Sequence, residues 1–164
     1  MAIRNMNCVM TLVDRGTGRA RSVVMGDLTG EKILAIFLEN VAREAKLYTD
    51  EARHYKPVGR EQAAHETVNH EAGQFYGKTD PTIHTQTVEN YYSVFKRGMK
   101  GTYQHCARKH LHRYCAEFDF RYSNRMALGV HDHQRADNLL QGVVGRRLTY
   151  RAAGGRRTDT QALA

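Results

Sequence analysis

His84-Thr85-Gln86-Thr87-Val88-Glu89-Asn90-Tyr91-Tyr92-Ser93-Val94-Phe95-Lys96-Arg97-Gly98 is the segment to which the rest of the chain is referred. It opens on threonines, whose hydroxyls cap helices by satisfying otherwise orphaned backbone N–H groups. Val88, Tyr91, Phe95 and Met99 follow at the spacing of one helical stripe, which predicts a helix turning that stripe to a core. Glu89 and Lys96 stand seven positions apart, close to two turns, so both leave a second face together. A carboxylate and a cation opposite a core stripe point to a site, and the acid's partner has to come from elsewhere in the chain.

The charge balance changes at this helix. Residues 1–95 hold 11 Lys+Arg and 12 Asp+Glu, and residues 96–164 hold 14 and 5, so the whole net charge of +8 lies from Lys96 onward. Such one-sidedness points to a polyanion, most often nucleic acid; the competing reading is a solubilising basic face. A length of 164 residues suits one domain with its own core. No run approaches the ~18 apolar residues of a membrane span, and the first residues carry no signal-peptide apolar stretch. Cys8, Cys106 and Cys115 lack framework spacing, which favours free thiols and a cytoplasmic location.

Upstream, Cys8 to Val13 is β-branched and apolar and predicts a buried strand. Asp14-Arg15-Gly16-Thr17-Gly18 is a turn, and Ala20 to Met25 returns as the second arm of a hairpin. No helix follows that turn directly and no lysine–serine/threonine ends it, so it is not a phosphate loop. Thr29 caps a helix predicted to reach Ala45, with Leu34, Phe37, Leu38, Val41 and Ala45 as its buried face. Lys46 to Thr49 is a short strand ending at Asp50, a helix is expected over Glu51–Tyr55, and His65 to His70 alternates as another strand. Residues 72–81 read as loop. Downstream, His110–Asn124 is an aromatic helix packing Leu111, Tyr114, Cys115, Phe118 and Tyr122. Asp132–Val144 is a second amphipathic helix, with Asp132 as its cap and Ala136, Leu139, Leu140 and Val143 as its apolar face. Residues 1–150 are expected to form the domain, and residues 151–164 a disordered basic tail. The order describes an α/β (α+β) protein with a mixed sheet and a helical C-terminal half.

Two acids stand out. Asp50 follows a strand, where ligands of α/β sheets bind, although such an aspartate also serves as a cap. Glu89 lies 39 positions on. Carboxylates facing one cleft need compensation, because buried bare charge is costly. Mg2+ supplies it, taking oxygen ligands while keeping waters for a phosphate substrate. Two such ions about 4 Å apart clamp the oxygens of a phosphoryl transfer, a scheme that normally needs a third bridging carboxylate. Lys96 would then hold a phosphate.

The segment from His84 to Gly101, continuing through Tyr103-Gln104-His105, His110-Leu111, Arg113-Tyr114, Glu117-Phe118 and Phe120-Arg121-Tyr122, resembles the C-terminal half of ISXO-like insertion-sequence transposases of the DDE superfamily. Tyr48-Thr49-Asp50-Glu51 and His65-Glu66-Thr67-Val68-Asn69-His70 resemble that family's middle segments. The resemblance covers most of residues 8–150. It implies a ribonuclease-H-like catalytic domain that cuts and joins double-stranded DNA at insertion-sequence ends and target. It also implies a two-ion site for Mg2+ (or Mn2+). Carried over, Asp50 matches the second catalytic acid and metal ligand, Glu89 the third, and Lys96 the basic residue after it. Many members have Asn where this chain has Gln86, so either Gln86 or Glu89 stands at the third ligand position. Lys96, Arg97, Lys100, Arg108, Lys109 and Arg113 are the expected DNA contacts.

The family's first catalytic Asp sits on a first strand, in an Asp-Glu-Thr motif that this chain lacks. Asp14 and Asp27 fall in turns and do not match it. The expectation is therefore a ribonuclease-H-like mixed sheet lacking its first strand: an N-terminally truncated transposase, catalytically inactive, its Cys8–Val13 edge open to aggregation or homo-oligomer formation. One alternative is a non-catalytic basic DNA-binding remnant. Another is a zinc protein built on His105, Cys106, His110, His112 and Cys115, but those residues fall on different faces of predicted helix. His65, His70 and His84 read first as hydrogen-bonded structural histidines, the alternative being that one or more lies near the metal cleft.

Overall fold

Residues 8–61, 63–78 and 80–145 are described by a computed structural model. Cys8–Val13 (β1) and Ala20–Met25 (β2) form the expected antiparallel hairpin, in register from Cys8↔Met25 to Val13↔Ala20. Asp14 folds its turn: its carboxylate accepts from the Gly16 N–H at 2.8 Å and the Thr17 hydroxyl at 2.6 Å. The Thr17 hydroxyl and then the Gly16 N–H hold that carboxyl below its ordinary range. Gly18 completes the turn at φ 69°, a conformation glycine adopts without penalty.

Alternation along β1 serves two layers. Cys8, Met10 and Leu12 pack with Gly30–Asn40 (α1), while Val9 and Val13 pack toward the later helices. In α1, Thr29 caps by accepting from the Lys32 N–H, and Glu31 lies in the first turn as the helix dipole favours. The helix stops at Asn40 rather than Ala45. Val41 turns extended, and the Ala45 N–H closes on the Ala42 carbonyl in a tight turn. Its buried positions are Ile33 and Phe37, and Leu38, expected inside, is 47% exposed.

Lys46–Asp50 (β3) and Ala64–Val68 (β4) pair in parallel, Lys46↔Ala64 to Asp50↔Val68. The crossover that parallel strands require holds a 3-10 turn at Arg53–Tyr55, in place of the expected helix from Glu51, and a short helix Val58–Glu61 (α2). β4 ends before His70 because the His70 and Glu71 N–H groups donate to the Glu51 carboxylate, at 3.0 and 3.2 Å, instead of a ladder.

Gln86–Gly98 (α3) buries Tyr91 and Phe95 as its stripe predicts, and continues into a π-helical turn, Met99–Tyr103. Leu111–Ser123 (α4) answers with Leu111, Cys115, Phe118 and Tyr122. Phe118 sits so close that a Cβ on Gly98 would fall 2.4 Å from its ring. Asp119 ties this helix pair to the hairpin, accepting from the Ser22 N–H at 2.6 Å, the Ser22 hydroxyl at 2.7 Å and the Tyr91 hydroxyl at 2.6 Å. Asp132–Gln141 (α5) is capped by His131 with a Gln134 capping box, not by Asp132. Polar contacts hold it: Arg135 Nε donates to the Asn124 carbonyl at 2.9 Å, and Asn138 Nδ2 to Asn124 Oδ1 at 2.7 Å. Its predicted core stripe therefore faces outward, with Leu139 57% and Leu140 63% exposed.

Among the described residues the architecture is mixed α/β, with five helices and small sheets. Among the described residues the strands form two separate pairs, β1–β2 and β3–β4, rather than one continuous ribonuclease-H-like sheet. The expected tail, residues 151–164, lies outside the described residues. No described helix is long and apolar enough to cross a membrane.

Candidate functional site

A cleft of about 1010 Å3 separates the two strand pairs. β1 forms one wall and residues 47–50 of β3 the other; Ile33 and Phe37 of α1 and Glu89 and Tyr92 of α3 contribute from the flanking layers. The two acids singled out in the sequence both line it. Asp50 is half-buried at the end of β3, and its Oδ1 accepts from the Ala52 N–H at 3.1 Å, so it serves the chain as a turn cap while lining the cleft.

Glu89 lies in the first turn of α3. Thr85 leaves the helix N–H groups alone; its hydroxyl donates to Glu89 Oε1 at 2.7 Å. His70 Nε2 stands 2.8 Å from the Thr85 oxygen and 3.3 Å from Glu89 Oε1, so two side chains hold one carboxylate oxygen. His70 reaches this point because Glu51 grips the backbone N–H groups at the end of β4. The N–H of Glu51 itself, and then those of His70 and Glu71, hold the Glu51 carboxyl below its ordinary range.

Arg15, from the hairpin turn, borders the same cleft. It donates to the Thr82 carbonyl at 2.6 Å, lies 3.1 Å from His84 Nε2, and stacks 5.0 Å from the Tyr48 ring centroid. Burial and then the Arg15 charge push the His84 imidazole below its usual pKa, and its buried Nδ1 has no partner.

Lys96 stands outside the lining, its Nζ 5.9 Å from the centroid of the Tyr92 ring that does line the cleft. Arg97, Lys100, Arg108, Lys109 and Arg113 are exposed and also lie outside it. They spread over the end of α3, the turns after it and the start of α4. The Arg108 guanidinium lies against Gly26, 3.1 Å from where a Cβ would stand.

Asp50 and Glu89 are hard oxygen donors of the kind Mg2+ takes. Among the described residues, however, no three of His, Cys, Asp and Glu gather closely enough to hold an ion. Two carboxylates, one of them already engaged by Thr85 and His70, do not by themselves fit a two-ion site. The same holds for His105, Cys106, His110, His112 and Cys115, which do not converge. Cys115 instead packs in the core, where burial pushes its thiol up to about 11.

His70, Thr85, Arg15 and Tyr92 complete the site around the acids and were not assigned to it from sequence. A histidine ending a predicted strand was the one available signal, and only the β3–β4 pairing carries it to α3.

Residues 2–123 of the chain match the family model described as the ISXO2-like transposase domain. No curated protein and no solved structure matches it. The matched span runs from β1 through α4, and so contains both cleft acids and the six cations expected to contact DNA. The chain belongs to the ISXO2-like transposases, insertion-sequence transposases of the DDE type.

Proposed function

We propose that the chain serves DNA transposition by gripping double-stranded DNA with the basic face of α3, α4 and the turns between them. On this reading Asp50 and Glu89 are the second and third carboxylates of a strand-cleaving site that works with Mg2+ or Mn2+. The observation that carries it is that two acids 39 positions apart line one cleft. Lys96, at the cleft's rim, and Arg97, Lys100, Arg108, Lys109 and Arg113 beyond it supply phosphate contacts, which give affinity without sequence specificity. No third acid stands with Asp50 and Glu89 among the described residues, and on this reading the chain binds DNA without cutting it. Catalytic groups that act as a unit fail together when one is missing.

The test pairs two assays on the purified chain. Labelled duplex DNA should bind, with log K falling linearly against log salt. The same DNA should stay uncut in Mg2+ and in Mn2+. Cutting that disappears in Asp50→Asn and Glu89→Gln would show a complete enzyme and overturn the inactivity. Absence of salt-sensitive binding would overturn the DNA reading.

A further inference from the structure

Phe75 and Tyr76 are consecutive in the chain, and they are 57% and 46% exposed. Elsewhere among the described residues the exposed large apolar side chains are aliphatic or methionine. Aromatic rings carry a large burial gain, so two adjacent rings left in solvent need a reason.

The loop between β4 and α3 holds them there. The Gln74 N–H donates to the Asn69 carbonyl at 2.9 Å and the Gly77 N–H to the Ile83 carbonyl at 2.8 Å, one bond on each side of the pair. Gln74 Nε2 donates to the Tyr76 carbonyl at 2.8 Å. A Cβ on Gly77 would fall 2.6 Å from the Asp80 carbonyl oxygen, so only glycine lets the loop close this tightly. The Tyr76 hydroxyl accepts from Nε2 of Gln86, the first residue of α3, at 2.8 Å. Rings fixed in this way lose little freedom when something stacks on them.

Their position ties them to the candidate site. Each ring leans on a histidine that lines the cleft: Phe75 on His70, centroids 5.8 Å apart, and Tyr76 on His84, 6.1 Å apart. His70 in turn stands 3.3 Å from Glu89 Oε1. The interplanar angles are 58° and 81°, so neither ring is covered by a parallel neighbour.

Size and charge select the occupant. Two half-exposed rings offer about 200 Å2 of surface, against about 800 Å2 per partner in a stable protein interface. One or two flat nucleobases match that area. Glu51 and Glu89, both in contact with His70, disfavour a phosphate at this spot and leave a neutral base unaffected. Bases inside a duplex are already stacked on one another, so the rings can take only a base that is unpaired.

We propose that Phe75 and Tyr76 form a stacking platform for an unpaired base beside the cleft, so that the site takes DNA with unpaired nucleotides next to the phosphate facing Asp50 and Glu89. The inference rests on the DNA-binding reading above and adds to it the form of the substrate. The basic face grips the backbone, and the platform selects frayed or single-stranded ends over intact duplex. It does so with little regard to sequence, because every base has a π-face.

The experiment measures binding of the full chain to a blunt duplex and to the same duplex ending in a short single-stranded tail. The tailed DNA should bind about tenfold more tightly, as one stacked base supplies. That ratio should fall to near one in Phe75→Ala, and Phe75→Trp should restore it. A fluorescent adenine analogue in the tail should be quenched on binding, a sign of stacking that phosphate contact does not give. Three results would overturn the platform: equal binding of blunt and tailed DNA, a tail of abasic sites that binds as well as the intact tail, or a ratio unchanged in Phe75→Ala. Salt-sensitive binding of both DNAs at equal strength removes the platform alone. Salt-sensitive binding of neither removes the DNA reading and the platform with it.

Discussion

Asp119 carries more of the structure than its place in the sequence announces. Its carboxylate accepts from a backbone N–H and two hydroxyls on two other elements. Burial, and after it the bond to Asp119, pushes the Tyr91 hydroxyl well above its usual pKa. Asp119→Ala strands those donors, and a urea titration should show a loss of about 3 kcal/mol. His65 offers a pH-dependent counterpart. Burial pushes its imidazole below the usual value, and its Nε2 lies 2.8 Å from the Thr49 hydroxyl. The neutral form is favoured in the fold, so the unfolded chain takes up the proton first. This contribution is whole above about pH 6.5 and fades as pH falls toward the lowered value. His84 shifts in the same direction. Asp14, whose carboxyl is depressed, adds a separate loss below about pH 4. Denaturant midpoints from pH 8 to pH 3 should therefore fall in two limbs, and His65→Gln should flatten the upper one.

At the scale of elements, α3 and α4 meet closely where Phe118 lies against Gly98. Gly98→Ala drives a methyl into the Phe118 ring, so the helices must separate or the ring must move. A loss of about 2 kcal/mol in thermal or urea unfolding is expected. The apolar stripe of α5 behaves oppositely. Leu139 and Leu140 are both more than half exposed, so Leu139→Ser with Leu140→Ser should change unfolding by no more than about 0.5 kcal/mol. These helices also show what periodicity can and cannot tell. The stripes of α3 and α4 were legible because each is dense in aromatics and finds its partner in the other. In α5 an equally regular stripe met no partner among the described residues. In α1 the predicted stripe took in the exposed Leu38 and missed the buried Ile33, because several apolar phases fit the same eleven residues.

Across the whole molecule, the hairpin is a middle layer between α1 and the α3–α4 pair, and the cleft separates it from β3 and β4. The cations of the helical half lie outside that cleft, so binding and cutting are separable. Arg108→Ala with Lys109→Ala and Arg113→Ala should flatten the slope of log K against log salt by about 2.7, at about 0.9 per lost phosphate contact. Because all three are exposed, the thermal midpoint should stay within a few degrees. Strands, turns and helix stripes are written in neighbours a few positions apart, and the hairpin, its Asp14 turn, α3 and α4 were all readable that way. So were the two acids, because a strand end and a helix face are local features. Their meeting in one cleft, the seating of Glu89 by His70 and Thr85, and the anchoring of β2 by Asp119 depend on residues brought together over tens of positions. No local pattern encodes those contacts; they follow from which apolar faces find partners when the layers close.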